Sequence, residues 1–136
     1  MAFTGNFTCN VFKTGLLNAD FDFTSGTFYI ALYTNAATLD QNTTAYTTTG
    51  EVVASGYTAG GELLTPSVAA LDGTSYASFA NVSWSAAFTA RGALIYKAGD
   101  NGAVCVLDFG ADRTSTSTFT VQFPAATNTS AIIRIN

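Results

Sequence analysis

The chain has 136 residues and a formal net charge of −4; 48% of it is apolar and 13% aromatic. Only 10% is charged, against about 25% in ordinary soluble domains. The aromatic content and low net charge exclude a disordered segment. The scattered cations Lys13, Arg91, Lys97, Arg113 and Arg134 exclude a phosphate-tracking surface, so no nucleic-acid partner is expected.

One domain over residues 1–136 is expected, able to bury about two-thirds of its unfolded surface. Met1-Ala2-Phe3-Thr4-Gly5 lacks the basic and apolar regions of a signal peptide. No apolar run reaches the ~18 residues of a membrane span. Asn10 could cap a short helix over Val11 to Leu17, with Phe12 and Leu16 at i, i+4 and Gly15 weakening it. Thr27 to Thr34 is β-branched and aromatic, with apolar residues on both parities. It predicts a central strand buried on both faces. Asn35 to Gly50 is a long, Thr-rich connection of the kind that serves interaction. Val52 to Leu64 is expected to hold two short strands around Gly56 and Gly60-Gly61.

Ser78 to Trp84 alternates as one further strand. Arg91 to Lys97 and Ala103 to Phe109 predict a hairpin closed by Ala98-Gly99-Asp100-Asn101-Gly102, whose Asn-Gly suits positive φ. In Thr116 to Phe123, Phe119, Val121 and Phe123 share one face, and Pro124 ends the strand. Ala131 to Ile135 is the last strand. Many short strands, glycine-rich turns and little helix give an all-β fold, a two-sheet antiparallel β-sandwich of jelly-roll or immunoglobulin-like type. Its expected core is Phe28, Ile30, Leu32, Val82, Trp84, Leu94, Val106, Phe119, Val121 and Ile133.

Catalytic chemistry has little to stand on. The chain has no histidine, which removes the commonest general base and metal ligand. Gly60-Gly61 is a turn rather than a phosphate loop. The two cysteines are too few for a zinc site and are expected as free thiols, Cys105 in the core and Cys9 near the surface. Asp20 and Asp22 share a parity, as a glycosidase pair would, but read better as solvated aspartates at a strand start. Asp108 and Asp112 flank Gly110 beside Arg113. They could take a cation through oxygen, but they read better as turn-shaping residues paired loosely with Arg113. Arg91 could hold a carboxylate between sheets or subunits. Trp84 with the tyrosines could form a carbohydrate platform, although a Trp in an alternating strand is ordinarily core. The sequons at Asn6, Asn42, Asn81 and Asn128 carry no meaning without export. The expectation is a non-enzyme with no cofactor, no metal and no small-molecule substrate.

Several stretches carry a resemblance. They are Phe12 to Leu17, Asp22-Phe23, Thr27 to Thr34, Ala37 to Asp40, Thr43 to Tyr46, Thr89 to Tyr96, Val106 to Gly110 and Phe119 to Pro124. Ser55-Gly56-Tyr57-Thr58-Ala59-Gly60-Gly61 is the most specific. With them the chain resembles small structural proteins of tailed-bacteriophage virions, of the capsid decoration or cement kind. The resemblance implies a virion protein assembled in the bacterial host cytoplasm. On the capsid exterior it would bind the major capsid protein and copies of itself, with trimers as the analogous assembly. A tail or neck component and a carbohydrate-binding receptor module are the alternatives. Tyr46, Tyr57, Arg91 and Asn136 are the expected interface residues.

Overall fold

The computed structural model describes residues 3–99 and 101–136. Its elements are β1 (Phe7–Thr8), α1 (Asn10–Leu17), β2 (Phe28–Tyr33), β3 (Glu62–Leu63), β4 (Pro66–Leu71), β5 (Thr74–Phe79), β6 (Val82–Trp84), β7 (Thr89–Lys97), β8 (Ala103–Thr114), β9 (Phe119–Val121) and β10 (Ile133–Ile135). The chain is mostly β, with one short helix and several antiparallel sheets. Five strands run in the order β1-β8-β7-β2-β3, three in the order β10-β5-β4, and two as β6-β9.

The five-stranded sheet is the body. In β2, Ile30, Ala31, Leu32 and Tyr33 are all buried, so both parities face protein. β2 pairs with β7 from Phe28↔Lys97 to Tyr33↔Gly92, and β7 pairs with β8 around Leu94↔Val106. The predicted hairpin is present in that pairing. Gly99 and Asn101 have φ of 114° and 53°, and Asp100 lies outside the described residues. β8 runs further than the sequence suggests. It continues past an irregularity where Phe109 to Asp112 stand opposite Arg91 alone, then pairs again at Ala90↔Arg113. Phe12, Phe21, Phe23, Phe28 and Phe79 join the helix end of the core to the second sheet through edge-on and stacked rings.

Several expectations need correction. α1 begins at Asn10, with Cys9 as the residue before it and no side-chain cap. Asn10 instead donates from Nδ2 to Asn42 Oδ1 at 3.1 Å. Ser78 to Trp84 is not one strand: β5 ends at Phe79 and β6 begins at Val82. The chain changes sheets between them. Ala80 N donates to Thr65 O, while Asn81 Oδ1 accepts from Phe123 N. That switch produces a third sheet where the sequence suggested two. Val52 to Leu64 holds only β3, preceded by an isolated bridge Tyr33↔Glu51. β9 and β10 are shorter than expected. Val82 is only partly buried; the rest of the expected core is buried.

The hairpin β4–β5 has no counterpart among the expected strands, although its Asp72-Gly73 turn, with φ of 52° and 80°, is a hairpin signal. Its pairing runs from Pro66↔Phe79 to Leu71↔Thr74. After Pro66 every residue of β4 is exposed, on both faces of the strand. The hairpin is therefore an arm anchored at Phe79 and Ala77 and projecting from the body.

Core and arm should separate cleanly in mutational cost. Leu94→Ala, in a fully buried position of β7, should destabilise by about 3 kcal/mol in denaturant unfolding. Val68→Ala, 52% exposed on β4, should change stability by less than about 0.5 kcal/mol. Equal losses would contradict an arm lying outside the core.

Candidate functional site

The densest polar arrangement gathers on Glu51, a residue the sequence reading did not single out. The long loop leaves β2 at Tyr33 and returns beside it: Thr34 N donates to Gly50 O at 2.8 Å and Val52 N to Leu32 O at 3.0 Å. That return places Glu51 against β2, where it is only 7% exposed. Its Oε2 accepts from the Tyr46 hydroxyl at 2.6 Å. Its Oε1 accepts from the Tyr57 hydroxyl at 2.8 Å and from Gly60 N at 2.7 Å. The Tyr57 oxygen in turn accepts from Leu32 N at 2.8 Å. Tyr33 donates to Thr47 O and Tyr96 to Gly60 O, both at 2.7 Å. Gly61, at φ 82°, passes so close to the Ile30 carbonyl that a Cβ has no room. Tyr96 stacks between Tyr46 and Tyr29, at 4.9 and 5.8 Å.

A carboxylate hydrogen-bonded to phenols invites a catalytic reading, and the geometry argues against it. Both oxygens are engaged by internal donors. Burial first, and then Glu51 nearby, push the Tyr96 hydroxyl up to about 12. Tyr33, Tyr46 and Tyr57 are raised as well, burial again leading. The phenols thus stay neutral donors across the physiological range. The grooves beside β9 and between α1 and β10 are lined by neither Glu51 nor these tyrosines. The cluster is a clamp: it fixes the loop 34–50 and the Gly60-Gly61 turn to β2.

The other sequence candidates are dispersed. Asp22 accepts from Thr24 N and from the hydroxyls of Thr24 and Ser25, and these bonds hold its carboxyl at about 2. It shapes a turn before β2. Asp20 bonds through its backbone: its N–H donates to Gly15 O and its carbonyl accepts from Lys97 Nζ, whose ammonium sits 4.8 Å from the Phe21 ring centre. Asp108 pairs with Arg91 on the neighbouring strand at 2.9 Å, not with Arg113 as expected. The irregularity in β8 carries Arg113 away, and it donates to Phe109 O instead. Arg91 is thereby engaged within one sheet, through Nε and Nη2. Trp84 is 2% exposed and packs on Tyr57 and Phe119, so its indole offers no carbohydrate platform.

Cys9 is fully buried like Cys105, contrary to the expected surface position, and both thiols are free. Cys9 is the last residue before α1 and donates its N–H to Val104 O at 2.9 Å, which draws it under the sheet. Burial pushes its thiol up to about 11 and raises Cys105 too. Neither is poised for nucleophilic chemistry. Of the expected interface residues, the structure brings Tyr46 and Tyr57 together on Glu51. Tyr57 is core at 8% exposure, Tyr46 is half-buried, and Asn136 is exposed at the chain end.

What remains is surface. Among the described residues the large apolar side chains left open are Leu17, Val53, Leu63, Val68, Leu71 and Ile135, from 52% to 96% exposed. An open groove of about 1210 Å³ runs between α1 and β10, lined among others by Lys13, Leu17, Ile133, Arg134 and Ile135. No protein-family profile, curated protein or solved structure matched the chain in comparison.

Two outcomes follow for the polar residues. Glu51→Ala strands three donors, the buried Tyr57 hydroxyl among them, and should cost about 3 kcal/mol of unfolding free energy, whereas Tyr46→Phe, which removes one partly exposed donor, should cost about 1 kcal/mol. Equal, small losses would contradict the clamp. The Arg91 hydrogen bond, chiefly, lowers the Asp108 pKa in the folded chain. Its contribution is full at neutral pH and fades as acid carries the pH below the usual carboxylate range and through that lowered value. An acid titration of stability should therefore be less steep for Asp108→Asn than for wild type.

Proposed function

We propose that this chain is a non-enzymatic structural protein of a tailed-phage particle, a decoration protein that seats on the outer face of the capsid shell and stabilises it. The observation that carries the reading is the arm. β4 exposes Val68 and Leu71 to 52% and 53%, bears no charge from Pro66 to Leu71, and leaves one backbone edge unpaired. Proteins guard such edges with charge, bulges or cover. An uncharged, protruding edge is suited to strand addition on another protein. The chain's clustered polar residues support the same reading, because Glu51, Asp22, Asp108 and Arg91 are engaged in internal bonds.

The finer fold belongs to this proposal. The five-stranded sheet forms one layer of a sandwich; β10-β5-β4 and β6-β9 together form the other, joined through Phe79, Trp84 and Phe119 in a common core. The reading places the chain on the virion exterior, with the major capsid protein as its partner.

Quantitative mass spectrometry of purified particles tests this, with the capsid protein as internal standard. A decoration protein should approach one copy per capsid subunit. A ratio near one-fiftieth, as ring symmetry of a neck or tail would impose, moves the chain there. Absence from particles overturns the structural reading.

A further inference from the structure

We infer that copies of this chain join head to tail, the β4 edge of one copy pairing with the β10 edge of the next inside the groove beside α1. The inference rests on the proposed reading as a self-associating shell component and names the surfaces involved.

β10 and β4 are the two free edges of one three-stranded sheet. Joining them between copies continues that sheet, which satisfies the open backbone groups of both strands. Each edge carries matching apolar surface. The arm offers Val68 and Leu71, 52% and 53% exposed; the groove offers Ile135 at 55% and Leu17 at 90%. Charge then sets the direction. Lys13 and Arg134 line the groove, and among the described residues no acidic side chain does. Along the arm from Pro66 to Phe79, Asp72 is the sole charged residue. It stands exposed at the tip, beside Leu71. The one acidic residue at the arm's tip and the apolar edge behind it thus meet a basic, apolar groove. Pairing β4 with a second β4 would leave the groove empty and its cations unmatched. Because the two surfaces differ, the contact is heterologous: it closes into a ring if the rotation allows and extends as a filament otherwise.

The test is sedimentation velocity of the full chain over a concentration series, with two variants. Val68→Lys disables the arm and Leu17→Glu disables the groove; both positions are exposed, and unchanged far-ultraviolet circular dichroism checks the fold. If either fails that check, Leu71→Lys and Ile135→Glu take their places. Wild type should form oligomers, each variant alone should be monomeric, and the mixture should give one-to-one dimers and nothing larger, because each variant keeps the surface its neighbour needs. Dimers of Leu17→Glu alone would show arm-to-arm pairing and overturn the inference. So would a wild-type chain that stays monomeric throughout, and if that monomer still bound shells the proposed function would stand without this contact.

Discussion

The fold depends on one buried carboxylate. Glu51 accepts from Tyr46, Tyr57 and Gly60, and through them a long loop and a glycine turn are held against β2. Residues 34–50 are held otherwise by single bonds, such as Asn10 N to Gln41 O, Ala103 N to Thr44 O and the Tyr33 hydroxyl to Thr47 O. The loop is polar, has no strand or helix of its own, and contributes only Ala37 and Leu39 to the buried set. A burial this complete makes the partners obligatory, since a stranded carboxylate or phenol in the interior costs more than the bond itself yields. The same cluster fixes Tyr57 beneath Trp84 and Phe88, so the polar clamp and the aromatic core are one structure.

The body of the fold was legible because burial follows strand periodicity. Both parities of Phe28–Tyr33 are apolar, and the strand is central. Phe119 and Val121 alternate with Thr120, and the strand is half-buried. The β7–β8 hairpin announced itself through Asn-Gly between two apolar runs. The arm was hidden for the opposite reason. Pro66-Ser67-Val68-Ala69-Ala70-Leu71 has no buried parity, so no period marks it, and only Asp72-Gly73 could have signalled the hairpin. The sheet switch at Ala80-Asn81 depends on which strand each half finds as partner, a tertiary choice invisible in an unbroken alternating segment.

The clamp was illegible for a related reason. Tyr46, Glu51, Tyr57 and Gly60 follow no period and match no motif, so nothing local joins them. Tyr46 and Tyr57 stood out in the sequence as large aromatics in loops, and an interface role was the natural expectation. Folding buries Tyr57 and leaves Tyr46 half-buried with its hydroxyl on Glu51, and the large apolar side chains left open are aliphatic: valine, leucine and isoleucine. That surface, with its scarcity of charge, fits a protein that acts by being covered.

Hydrogen exchange addresses that idea most directly, comparing the dilute isolated chain with the chain seated on particles. Amides of β2, β7 and β8 should be slow in both states. Those of β4 should exchange rapidly in the isolated chain, where the strand has one partner and no cover, and become protected on the particle. Equal protection of β4 in the two states would mean that the arm meets nothing there, and would contradict the account.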